Sequence, residues 1–120
     1  MTTVLLLEYR RRPNAAAFMT RATYPAALRR RGRFPGIAAR WSGQRIGRGH
    51  LAAFQHLTGW AERDVLPLLY PQVLGFPLQL AILTHPALPL PIWGALQVRA
   101  HLVQHRPIAR GAVLDLACRA

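Results

Sequence analysis

Residues 65–98 read VLPLLYPQVLGFPLQLAILTHPALPLPIWGALQV, thirty-four positions without a Lys, Arg, Asp or Glu. An uncharged run of this length must be hidden from water, in a bilayer or in a protein core. Its prolines separate the two cases. A membrane-spanning helix needs about 20 consecutive apolar residues. Prolines at 67, 71, 77, 86, 89 and 91 leave Leu78–His85 as the longest proline-free piece before Pro91. Each proline inside a helix removes a backbone hydrogen bond, and lipid offers no substitute partner. The stretch therefore predicts a buried core helix with tight apolar connections and no membrane span. Pro77 is placed to open that helix, Pro86 to end it, and Leu66–Gly75 reads as an extended, proline-rich approach.

The rest of the chain fits one small domain around that core. It has 120 residues, 52% of them apolar. Ten prolines and nine glycines argue against a plain helical bundle. All sixteen basic residues are Arg, and the formal net charge is +12. Residues 1–48 hold eleven Arg against Glu8 alone, so the first third carries nearly all the excess. Such a patch attracts nucleic acid, an anionic surface or an acidic protein. A single Cys118 excludes an internal disulfide and a cysteine-based zinc site, and fits a reducing, cytoplasmic setting. Val4–Leu7 is too short, and precedes rather than follows its positive charges, for a secretion signal.

Outward from the core, Asn14 predicts the cap of a helix from Ala15 to about Tyr24. Pro25 restarts a helix through Arg31, and residues 1–36 make a basic, partly helical arm. Residues 37–46 suggest a strand anchored by Trp41 with a turn at Ser42-Gly43. Leu51, Phe54 and Leu57 mark one face of a helix over residues 50–58. Gly59 sits where a left-handed cap belongs, with Trp60 folding back behind it. From Gly94 the period becomes two. Leu96, Val98, Ala100 and Leu102 alternate with Gln97, Arg99 and His101, and Ala112, Leu114, Leu116 and Cys118 alternate with Val113, Asp115 and Ala117. These stretches predict an antiparallel hairpin. The layout is α+β, a central helix enclosed by antiparallel sheet.

Three ordered blocks carry a further likeness: His50-Leu51-Ala52-Ala53-Phe54-Gln55-His56-Leu57-Thr58-Gly59, then Leu66-Pro67-Leu68-Leu69-Tyr70-Pro71, then Leu74-Gly75-Phe76-Pro77-Leu78-Gln79-Leu80. With Gly94–Arg99 and Gln104–Ile108, they resemble the MaoC-like acyl dehydratase/hydratase branch of the hot-dog fold over residues 37–120. The resemblance implies strands curled around a central helix, and a second hot-dog domain or a homodimer packed alongside. It implies an acyl thioester of coenzyme A or acyl carrier protein as substrate, with no further cofactor. The family's units carry two more strands after the point matching Ala120. The resemblance thus gives an incomplete hot-dog unit of the N-terminal or non-catalytic half type.

The active branch carries an Asp, then Asn-Pro-x-His, just after the helix ending Thr-Gly. These two groups move the α-proton and handle the water. Here that region is Trp60–Tyr70, which has no His, and Asp64 stands too close to Pro67 to match. No catalytic residue carries over, so a partner domain is expected to supply the pair. The resemblance puts Tyr70 at the mouth of an acyl groove, as a donor to the thioester carbonyl. Phe76 and Leu80 are the candidate lining. The alternatives are a buried tyrosine with a local partner and plain core packing. Arg29, Arg30, Arg31 and Arg33 are candidate contacts for coenzyme A phosphates or an acidic carrier. The competing reading is a non-enzymatic module whose basic arm docks an acidic partner or nucleic acid. Nucleic acid is the less expected of these, because no recognition motif or aromatic spacing accompanies the arginines. His101 and His105 lack a third ligand, so no metal site is expected. Gly43, Gly47 and Gly49 lack the Lys-Ser/Thr of a phosphate-cradling loop.

Overall fold

Three strands and three helices make up the described part of the chain. A computed structural model describes residues 4–23, 36–88 and 96–120. In order, these elements are β1 (Val4–Tyr9), α1 (Ala15–Arg21), β2 (Gly36–Arg45), α2 (Arg48–Thr58), α3 (Tyr70–Leu83) and β3 (Val113–Arg119). The fold is α+β.

The buried helix is α3, and it begins seven residues before the predicted start. Pro71 stands in its first turn, where a missing N–H costs nothing. Pro77 lies inside the helix rather than opening it. There it removes one backbone hydrogen bond, and its ring is buried. The extended approach expected over Leu66–Gly75 is therefore half helix. At 14 residues, α3 is about 21 Å long. Among the described residues no helix is long and apolar enough to cross a membrane.

The sheet has the order β1-β2-β3 and is mixed, not antiparallel throughout. β1 runs parallel to β2 in the register Val4↔Gly36 to Tyr9↔Trp41. β3 runs antiparallel to β2, from Ala38↔Arg119 to Arg45↔Val113. Reciprocal hydrogen bonds between Ile37 and Ala120, at 3.2 and 2.9 Å, extend this ladder by one residue. The sequence reading missed β1, whose run VLLLEY has no clean alternation. The turn expected at Ser42-Gly43 is a β-bulge within one continuous strand. Gly43 has φ 69°, which suits glycine, and its N–H donates to Asp115 Oδ1 at 2.7 Å.

One sheet face packs on α3. Ile37, Ala39 and Trp41 of β2 join Leu78, Ile82 and Leu88, flanked by Leu7, Tyr9, Leu116 and Cys118. Trp41 is the anchor predicted for β2, although its Nε1–H finds no partner among the described residues. The predicted phase of β3 holds: Leu114, Leu116 and Cys118 point inward. Its predicted partner does not. Residues 96–104 form no strand, and Leu96 and Val98 are more than 80% exposed. A period of two supplies a face but not a neighbour, and the ladder that β3 joins is that of β2.

α1 begins where Asn14 predicts, with Asn14 Oδ1 accepting from the Ala17 N–H at 3.2 Å. Its Phe18 packs on Leu80 and Ala81. Arg21 donates to the Ala81 carbonyl at 2.7 Å and to Thr84 Oγ1 at 3.0 Å, satisfying acceptors at the C-terminal end of α3. Residues 4–23 thus join the sheet and the buried helix. The helix restart after Pro25 and the cluster Arg29, Arg30, Arg31 and Arg33 lie outside the described residues.

Candidate functional site

The first turn of α2 carries a half-buried histidine with two side-chain partners. α2 ends at Gly59 with φ 73°, the left-handed cap read from sequence. Its buried face differs from the predicted one. Leu51 and Gln55 are buried and Phe54 is partly so, whereas Leu57 is 84% exposed. At about 100° per residue, Leu57 lies about 120° from Leu51, while Gln55 lies about 40° away. Packing against Leu66 and Tyr70 centres the buried stripe on Leu51, Phe54 and Gln55. Trp60, expected to fold back, is 47% exposed.

This rotation aims His50 at the start of α3. His50 Nδ1 lies 2.8 Å from the Tyr70 hydroxyl, and the Arg12 guanidinium lies 3.4 Å from His50 Nε2. A guanidinium can only donate, so the Arg12 contact selects the tautomer with its hydrogen on Nδ1. His50 Nδ1–H then donates to the Tyr70 oxygen. The Phe54 ring stands edge-on to Tyr70 at 5.2 Å. Tyr70 is fully buried. Burial raises its phenol pKa above the ordinary value, and the nearby Arg12 charge pulls it partly back. The phenol therefore stays neutral and bound to an imidazole, with no route to solvent in this conformation.

Arg12 also lines an open groove of about 400 Å³ together with Ala15, Gln72, Val73, Phe76 and Pro77. Phe76 is 51% exposed there. One guanidinium thus joins the apolar groove between α1 and α3 to the half-buried imidazole that holds the buried phenol. The arrangement can seat an apolar chain along Phe76 and Val73 and place a positive charge at one end.

The three predicted substrate-contact residues fall in three environments. Tyr70 lies in the cluster with Leu51 and Leu66, Phe76 in the open groove, and Leu80 against Phe18 and Ala81. Tyr70's partner is a side chain from another helix rather than local backbone. Sequence reasoning grouped Arg12 with Arg10 and Arg11 as candidate phosphate or carrier contacts, and missed the contacts that Arg12 and Tyr70 make with His50. They lie 38 and 20 residues from their partners along the chain, and no motif spacing links them. His101 and His105 are exposed in irregular chain, and His85 follows the end of α3. Among the described residues no three His, Cys, Asp or Glu side chains gather as a metal site would require.

No family model matches the chain, and no solved structure matches it. One curated protein does: the 3-hydroxyacyl-thioester dehydratase X of Mycobacterium tuberculosis (strain H37Rv), with 32% identity over 71 residues. The match takes in 59% of this chain and 25% of that protein. The chain is therefore similar, over more than half its length, to a 3-hydroxyacyl-thioester dehydratase, and the matched region spans about a quarter of that relative.

Proposed function

We propose that the chain is a hot-dog-type unit of acyl-thioester metabolism, related to (R)-3-hydroxyacyl and enoyl thioester dehydratases and hydratases, that works beside a partner hot-dog domain. The observation that carries this reading is the 71-residue similarity to a 3-hydroxyacyl-thioester dehydratase. In this reading further strands from the partner close over α3, whose neighbours among the described residues are α1, one sheet face and, at Tyr70, α2. Two surfaces support a need for such a partner. The outward sheet face exposes Val4 and Leu6, and the strand-period stretch over residues 96–103 exposes Leu96, Val98 and Val103.

The acyl chain runs in the groove over Phe76, with Leu80 beneath it in the packing between α1 and α3. Tyr70 holds His50, and His50 in turn meets Arg12 at the end of the groove. Tyr70 is thus a positioning residue. The Asp and His that move the proton and the water come from the partner. The carrier is coenzyme A or acyl carrier protein, and the setting is cytoplasmic. No resident metal or organic cofactor takes part.

The test is hydration of crotonyl-coenzyme A, followed by loss of enoyl-thioester absorbance. The purified chain is expected to give the buffer rate, and addition of a catalytic hot-dog partner to give turnover that Phe76→Asp lowers. Turnover by the chain alone would refute the partner requirement. A chain that neither binds a hexanoyl thioester nor changes a partner's rate would remove the thioester reading itself.

A further inference from the structure

A second cavity, away from the groove, has a different chemical character. Its lining comes from Arg45 at the end of β2 and Ile46 just after it, Arg48 and Leu51 of α2, Glu62, and Arg110 and Gly111 ahead of β3. Its volume is about 550 Å³, within the size range of small-molecule sites. The walls are held by distant parts of the chain. Leu66 N–H donates to the Ile108 carbonyl at 2.8 Å, and Arg110 N–H to the Asp64 carbonyl at 3.0 Å. Residues 110–111 are thereby clipped to the segment that carries Glu62, and Arg110 Nη1 meets Glu62 Oε1 at 2.7 Å.

Three guanidinium groups and one carboxylate share this rim. Glu62 neutralises Arg110. Arg45 and Arg48 have no carboxylate partner among the described residues. The interior side is apolar, formed by Ile46 and the buried Leu51. Two uncompensated guanidinium groups beside an apolar wall suit a ligand with a compact anion at one end and a carbon skeleton at the other. Guanidinium recognises phosphate oxygens in a fixed, two-pronged geometry, which favours phosphate among the anions.

We propose that this cleft binds an organic phosphate, with Arg45 and Arg48 on the phosphate oxygens and Ile46 and Leu51 against the organic part. Arg110 is the third cation, released to the ligand as its pairing with Glu62 is shared. Nothing in the cleft's charge or shape requires the thioester chemistry proposed above, so either can fail without the other. A phosphorylated carrier and a free nucleotide offer the same chemistry here, and the probes below separate them.

The experiment is isothermal titration of the full chain at low salt with ADP, adenosine, inorganic pyrophosphate and coenzyme A. ADP is expected to bind at least about tenfold more tightly than adenosine. Arg45→Glu and Arg48→Glu should each weaken it by about tenfold or more, the usual scale for losing a charge-assisted contact. Both arginines are exposed, so circular dichroism should show folded variants. Arg40→Glu changes net charge equally but lies on the sheet, outside the cleft, and should leave ADP binding within about twofold. Coenzyme A binding more tightly than ADP would assign the site to a phosphorylated carrier, and the reverse order to a nucleotide, both within the proposal. No binding of any phosphate probe would overturn it. Equal weakening by Arg40→Glu would also overturn it, by reducing the effect to net charge. So would an oligonucleotide that outcompetes ADP and still binds the Arg45→Glu/Arg48→Glu protein.

Discussion

Replacing Tyr70 with Phe isolates one hydrogen bond at the centre of the molecule. The ring stays, so the full burial and the edge contacts to Phe54 at 5.2 Å and His50 at 5.7 Å stay with it. Only the hydroxyl is lost, and with it the 2.8 Å bond to His50 Nδ1. Such a bond contributes about 1 kcal/mol net, and a partly buried nitrogen left unpaired adds about 1 kcal/mol more. Tyr70→Phe should therefore cost about 1–2 kcal/mol, well short of the roughly 3–5 kcal/mol expected for truncation of a large buried ring to Ala. Urea unfolding followed by tryptophan fluorescence reads this directly. With a slope of about 2 kcal/mol per molar urea, the midpoint should fall by roughly 0.5–1 M at unchanged slope. A double-mutant cycle with His50→Ala should give a coupling of about 1 kcal/mol. The pH dependence adds a second check. The folded phenol titrates above its ordinary value of 10.0, so the neutral form is favoured by folding. Its contribution is complete below pH 10 and is lost as pH rises through the folded value. Tyr70→Phe should abolish that alkaline loss. A variant as stable as the parent, or a coupling near zero, would show that the His50–Tyr70 contact does not form in solution.

Burial and then the Arg21 charge lower the His85 pKa, and its Nδ1 accepts from the Ala87 N–H at 3.1 Å. Its contribution is present above pH 6.5 and lost as pH falls through the folded value, so His85→Gln should flatten part of the acid limb of a stability profile. An unchanged limb would clear His85 of that role. Gly59→Ala should cost about 1 kcal/mol by thermal melting, because φ is 73° and the added methyl meets nothing within 4 Å. Leu78→Ala, at the junction of α3 and β2, should cost about 2–5 kcal/mol in urea, whereas Leu57→Ala should change stability by less than about 1 kcal/mol. Burial raises the Cys118 thiol pKa, so alkylation by iodoacetamide near neutral pH should run slower in the folded protein than in urea.

Local signals in the chain were dependable where one residue decides the local geometry. Asn14 marks the start of α1, Gly59 the end of α2, and the alternation over residues 112–118 the inward phase of β3. Trp41 reads as an anchor because few other places suit an indole of that size. The failures share one cause, since each needed a neighbour to be known. VLLLEY is apolar without a period, and it becomes a strand only by lying parallel to β2. Residues 96–103 have the period of a strand and pair with no strand among the described residues. Pro77 looks like a helix start, yet burial of α3 on the sheet outweighs the hydrogen bond that its ring removes.

Composition and pattern by themselves determined that a buried core helix lies within residues 65–98, that the fold mixes helix and sheet, and that the charge gathers in the first third. These follow from the free energy of hiding apolar side chains, a property each residue carries wherever it lies. Tertiary structure alone decided that Gln55 turns inward while Leu57 faces water, that Arg12 reaches His50 and Tyr70, and that Arg45, Arg48 and Arg110 share one cleft. Contacts between residues 20 to 65 positions apart leave no periodic trace, because chain closure over such distances is set by the whole fold and not by any segment.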